Sequence, residues 1–62
     1  MKLKELREEY GLSQKDIANY LNIKQNTYSQ YETGKRQLPV DMLIKLARFY
    51  KTTTDYILEL ED

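Results

Sequence analysis

Gln14-Lys15-Asp16-Ile17-Ala18-Asn19-Tyr20-Leu21-Asn22-Ile23-Lys24-Gln25-Asn26-Thr27-Tyr28-Ser29-Gln30-Tyr31 decides the fold, because it holds two short helical patterns with almost no chain between them. Ile17, Ala18 and Leu21 recur at the spacing of one helix face. Just ahead, Ser13 offers a hydroxyl to cap that helix. Asp16 stands three residues on, in the place of the capping-box acid, where Glu or Gln is more usual. Asn22 follows Leu21 directly, and asparagine is one of the few residues besides glycine that tolerates positive φ, so the chain turns sharply there. The second pattern starts near Lys24. Tyr28 and Tyr31 mark its inner side, while Lys24, Gln25, Asn26, Thr27, Ser29 and Gln30 give it an amide-rich outer face. Helices joined by so short a turn cross steeply and need a small residue where their backbones meet, a place that Ala18 fills. Ile17, Leu21, Ile23, Tyr28 and Tyr31 are the expected buried positions of the pair.

Outward from this stretch the same periodicity continues. Leu3, Leu6 and Tyr10 predict an amphipathic helix over residues 2–10, with Gly11 as its left-handed stop. Thr33-Gly34-Lys35-Arg36-Gln37 has a turn glycine, two adjacent cations and no apolar residue, and reads as an exposed basic loop. Leu38 and Pro39 close the loop, and the fixed φ of proline suits the first turn of a helix. Val40, Leu43, Ile44, Leu46, Ala47 and Tyr50 mark that fourth helix. After Lys51 and Thr52, Thr53 is a cap with Asp55 in the favoured first turn, and Tyr56, Ile57 and Leu60 mark a fifth. The expectation is an all-α fold of five helices, forming one domain over residues 1–62 with no repeat or linker.

With 62 residues, the chain lies near the lower limit for folding without a staple, so its stability must come from tight helix packing. It has no cysteine and no histidine. That excludes disulfides and thiolate metal sites, and removes the commonest metal ligand and general base. There is also no glycine-rich phosphate loop. The sequence therefore predicts a non-enzyme with no catalytic residue, metal, cofactor or small-molecule ligand. No apolar run approaches the roughly 18 to 20 residues that cross a bilayer, and the N-terminus lacks a signal-peptide core. The expectation is a cytoplasmic protein with no membrane partner.

Lys plus Arg and Asp plus Glu both number 10, and the isoelectric point is near 6.2. A protein that binds a polyanion would be expected to be basic. The charges are unevenly placed, however. Residues 54–62 hold Asp55, Glu59, Glu61 and Asp62 and no base, leaving 10 bases against 6 acids in residues 1–53. Charges more than about 8 to 10 Å away are largely screened at physiological salt, so a ligand feels the face presented to it more than the total.

Leu12-Ser13-Gln14 through Ala18, Thr27-Tyr28-Ser29-Gln30-Tyr31-Glu32-Thr33-Gly34-Lys35-Arg36, Leu43-Ile44-Lys45-Leu46-Ala47 and Asp55-Tyr56-Ile57-Leu58 together resemble the phage-repressor and Cro-type (XRE-like) helix-turn-helix family over nearly the whole chain. The resemblance implies a compact lambda-repressor-like domain whose third helix enters the DNA major groove. It implies base reading by Gln25, Asn26 and Gln30, whose side-chain amides can bond adenine N6 and N7 together. Thr27 would present its methyl to thymine or its hydroxyl to a phosphate, and Ser29 its hydroxyl to a phosphate. Gln14 matches a phosphate-binding position at a helix N-terminus, and Lys24, Lys35 and Arg36, with Lys4, would neutralise phosphates. Arg7 and Glu32 match a family ion pair that ties the first helix to the third and positions the reader. Asn22 stands where glycine is common, and Lys51 where glycine or asparagine is usual, which predicts mild strain at Lys51.

The implied function is sequence-specific binding of duplex DNA by a transcriptional regulator, a repressor, acting as a homodimer on two half-sites. The fifth helix, with Tyr56, Ile57 and Leu60, is the candidate dimer surface, and Tyr20 and Phe49 lie beside the apolar stripes as further candidates. The alternative is a protein-interaction or antitoxin-like module that keeps the fold but binds DNA weakly, a reading favoured by the neutral total charge. Six tyrosines raise a third possibility, a stacking platform for single strands. Helical spacing instead assigns Tyr10, Tyr28, Tyr31, Tyr50 and Tyr56 to the core.

Overall fold

The structure, a computed structural model, describes residues 1–60. Glu61 and Asp62 of the acidic C-terminal segment lie outside the described residues. The helices are α1 (Leu3–Glu9), α2 (Gln14–Leu21), α3 (Gln25–Thr33), α4 (Val40–Phe49) and α5 (Thr54–Leu58), and the described residues contain no strand. The fold is the five-helix arrangement that the sequence pattern predicts.

All five helices stop at a residue of positive φ: Gly11, Asn22, Gly34, Lys51 and Glu59. Four of them close with the same pair of backbone bonds. After α2, Asn22 N–H donates to Asn19 O at 3.1 Å and Ile23 N–H to Ala18 O at 3.0 Å. Equivalent pairs follow α1, α4 and α5, so the last carbonyls are satisfied before the chain departs. The residue after the turn is then thrown back toward the helix it has left. Leu12 and Ile23 use that position to pack against the core.

At the start of α2 the box forms in full. Ser13 Oγ accepts from Asp16 N–H at 3.0 Å, and Asp16 Oδ2 accepts from Ser13 N–H at 2.9 Å. The bond from Ser13 N–H, with the Ser13 hydroxyl beside it, favours the ionised carboxyl and holds the Asp16 pKa below its usual value. Thr53 caps α5 by accepting from Tyr56 N–H at 3.0 Å.

One core joins all the elements: Leu3 and Leu6 of α1, Ile17, Ala18 and Leu21 of α2, Tyr28 and Tyr31 of α3, Leu38 of the connecting loop, Leu43, Leu46 and Ala47 of α4, then Tyr50 and Ile57. Lys2 N–H donates to Ile57 O at 2.9 Å and ties the N-terminal segment to α5.

Several expected core positions are not core. Tyr10 is 49% exposed because it stands at the end of α1, where its ring lies edge-on to Tyr50 at 5.0 Å and its hydroxyl donates to Tyr50 O at 2.9 Å. Val40 opens α4 at the periphery and is exposed, as is Ile44 one turn on. Pro39 is the cap residue of α4 and not its first helical residue. Tyr56 and Leu60 are exposed, and Leu60 lies beyond α5 because Glu59 has already turned the chain. Ile57 is fully buried within the monomer, so it is not part of any dimer surface. Tyr20 is exposed and packs its ring on half-buried Phe49 at 4.5 Å.

Candidate nucleic-acid interface

The two inward tyrosines fix the rotation of α3. At about 100° per residue, Tyr28 and Tyr31 lie about 60° apart, and Asn26 and Thr33 fall opposite them with Ser29 and Gln30 to either side. The burial agrees, since Tyr28 and Tyr31 are buried, Gln25, Asn26 and Thr33 are exposed, and Ser29 and Gln30 are half-buried. Thr27 sits on one edge of the face, half-buried. Gln25 sits on the other edge, beside α2. Among the described residues, the side chains of Gln25, Asn26 and Gln30 make no hydrogen bond within the chain, so their donors and acceptors are free for a ligand.

Gln14, Gln25, Asn26 and Ser29 line one open hollow of about 370 Å³ between the start of α2 and the start of α3. Four of the residues singled out from sequence are therefore brought together. Lys24, the residue before α3, is exposed, and Lys35 and Arg36 lie exposed in the loop after Gly34. The first amides of α3 have no side-chain cap, and their partial positive charge points out at the same end of the helix. Lys4 on α1 is exposed but belongs to another element.

Behind this face stands one carboxylate. Glu32 Oε2 accepts from Arg7 Nε at 2.7 Å, and Glu32 Oε1 accepts from Arg7 Nη2 at 3.3 Å and from Gln14 Nε2 at 3.1 Å. Arg7 Nη1 donates in addition to Leu12 O at 2.9 Å. Three helices thus meet on a single side chain, that of α3, which is 5% exposed. Burial by itself pushes the Glu32 carboxyl up, but the hydrogen bonds from Arg7 and Gln14, with the Tyr28 hydroxyl close by, outweigh it and hold the pKa below the usual carboxylate value. The Tyr28 hydroxyl is buried close to this carboxylate and has no hydrogen-bond partner among the described residues. The bond to Glu32 raises the already high pKa of Arg7, so both members stay charged.

Within a chain of zero total charge, the stretch that carries this face is net positive. From Ser13 to Gln37 there are four cations, Lys15, Lys24, Lys35 and Arg36, all exposed. The two carboxylates in the same stretch, Asp16 and Glu32, are occupied by the helix cap and by Arg7. Lys15 was not among the residues expected from sequence. It stands in the first turn of α2, next to Gln14. Among the described residues no group of acidic side chains could hold a metal ion, and no helix is long and apolar enough to cross a membrane.

Residues 3–57 match a family model described as helix-turn-helix. The chain belongs to that helix-turn-helix family. Within it, the chain is 44% identical over 57 residues to the HTH-type transcriptional regulator ImmR of Bacillus subtilis (strain 168), covering 92% of this chain and 45% of the relative. It is 39% identical over 49 residues to the cryptic phage CTXphi transcriptional repressor RstR of Vibrio cholerae, covering 79% and 44%. A third helix-turn-helix relative, the uncharacterized HTH-type transcriptional regulator YobD of Bacillus subtilis (strain 168), is 36% identical over 61 residues, covering 98% and 54%. The chain spans about half the length of the curated relatives it matches. No solved structure gives a significant match.

Proposed function

We propose that this chain is a DNA-binding unit of a transcriptional regulator, that it recognises duplex DNA by sequence without catalysis, and that its regulatory outcome is repression. The observation that carries this reading is the outer face of α3: three side-chain amides, Gln25, Asn26 and Gln30, with no hydrogen-bond partner among the described residues, flanked by exposed Lys24, Lys35 and Arg36. An amide offers a donor beside an acceptor, the arrangement that matches the major-groove edge of adenine. Thr27 and Ser29 add a methyl and a hydroxyl at the borders of that face. Gln14, Lys24, Lys35 and Arg36 contact phosphates and set the register, which carries affinity more than sequence information. The names of the relatives, a transcriptional regulator and a phage repressor, support the same role.

One copy reads few base pairs. Each bidentate contact discriminates by only about 1 to 3 kcal/mol, so a single reader is too unselective for a genome. The unit accordingly acts as a homodimer on half-sites about 34 Å apart. Exposed Tyr56, Leu58 and Leu60 at the α5 end support a contact there. The regulator works in the cytoplasm.

Titrating the protein against its preferred duplex at several salt concentrations tests the reading. Log K is expected to fall linearly with log salt, with a slope of about −0.9 for each phosphate neutralised. Weak binding with no salt dependence would instead favour the protein-interaction module, which the zero net charge otherwise suits.

A further inference from the structure

We infer that Glu32 is a positioning residue for recognition, setting the direction in which the Gln14 side-chain amide faces the DNA; this rests on the DNA-binding reading above. The geometry is specific. Gln14 and Glu32 are on different helices, 18 residues apart, and Gln14 Nε2 meets Glu32 Oε1 at 3.1 Å. The carboxylate is charged and held in place by two bonds from Arg7, so it accepts but does not donate. Turning the Gln14 amide over would set its carbonyl oxygen against that negative charge. Only one of the two orientations is therefore favourable.

The consequence lies on the outer side of Gln14, where it lines the hollow shared with Gln25, Asn26 and Ser29. With one Nε2–H given to Glu32, Gln14 keeps one N–H and its carbonyl oxygen for that hollow. The N–H serves a phosphate oxygen, and the carbonyl oxygen accepts from a neighbouring amide such as that of Gln25, or from a base amino group. A glutamine without this anchor has three rotatable bonds to immobilise on binding, at a cost in side-chain entropy. Here the fold has fixed it in advance. Arg7 acts one step further back, because it neutralises Glu32 and holds it in line.

Affinity for the preferred duplex is measured for the wild-type protein, Gln14→Ala, Glu32→Asp and the double variant, each confirmed folded by circular dichroism at the temperature used. Aspartate keeps a charge for Arg7 but is one methylene short of Gln14. Each single change is expected to weaken binding about five- to tenfold, and the double variant to bind no worse than the weaker single one. As a control, Glu32→Asp with Gln30→Ala is expected to be additive. Additive losses for Gln14 and Glu32, or an unchanged affinity in Gln14→Ala, would overturn the inference while leaving DNA binding intact; absence of duplex binding by the wild-type protein would remove both. A second measurement needs no variant. In the free wild-type protein, nuclear Overhauser contacts are expected between the Gln14 side-chain NH2 and the Glu32 methylenes, and a freely averaging Gln14 amide would contradict the inference.

Discussion

Arg7 and Glu32 join α1 to α3 through two nitrogen-to-carboxylate bonds of 2.7 and 3.3 Å, with side chains only 12% and 5% exposed. A buried pair of this kind is not strong evidence for stability, because desolvating two charges offsets much of their attraction. Its weight shows when one member is removed. Arg7→Ala leaves a nearly buried carboxylate with only Gln14 and Tyr28 beside it, and is expected to cost about 3 kcal/mol. Replacing both by methionine is expected to recover most of that loss. Urea unfolding with an unchanged m-value checks the ordering.

Burial makes two of the tyrosines sensitive to alkali. Tyr50 is 3% exposed with an unpartnered hydroxyl, and burial first of all pushes its pKa from 10.0 to about 12; nearby Arg7 works in the opposite direction. Tyr28 is raised for the same leading reason. A phenol with a higher pKa in the folded state binds its proton more tightly there. Its contribution is complete below the unfolded value of about 10 and is lost as pH rises toward about 12. Unfolding midpoints are expected to fall across that window, and less so in Tyr50→Phe. At neutral pH the same change is expected to be neutral or to stabilise by about 1 kcal/mol, since it removes a buried group that lacks a bond.

Lys51 and Glu59 hold φ of 54° and 61° at the ends of α4 and α5, in a region that costs a side chain with a Cβ about 1 kcal/mol or more. Glycine relieves that strain but loses more chain entropy on folding. Lys51→Gly is expected to gain about 0.5 kcal/mol. Asn22→Gly is expected to change little, as asparagine already tolerates the conformation. Thermal unfolding of the two variants side by side tests the contrast.

At the other end of α2, Ser13→Ala removes the acceptor for Asp16 N–H and is expected to cost about 1 kcal/mol. Because that helix carries Gln14 in its first turn, fraying there is also expected to weaken DNA binding at temperatures well below the unfolding midpoint. Amide exchange at residues 14–16, compared with exchange in α4, measures it.

The helices and the reader face were legible in the sequence because they depend on local chemistry. Ser13, Asn22 and Gly34 announce their caps, and two tyrosines three apart say which way α3 faces. Three of the misplaced core positions share a different cause. Tyr10, Val40 and Leu60 fit the apolar spacing yet lie at or beyond a helix end, where they are too far out to be covered, and spacing carries no information about where a neighbouring element stops. Glu59 gave no sign of its left-handed turn, since glutamate has no preference for that region. The bond from Gln14 to Glu32 spans two helices and becomes visible only once they have docked.

Selection of bound sites from random duplex DNA at near-physiological salt tests the central claim most directly, run in parallel on the wild-type protein, Gln25→Ala, Gln30→Ala and Lys35→Ala. The wild-type protein is expected to yield one preferred sequence, each glutamine variant to lose preference at particular bases, and Lys35→Ala to weaken all sites alike. If both glutamine variants return the wild-type sequence unchanged, the outer face of α3 does not read DNA and the account is wrong.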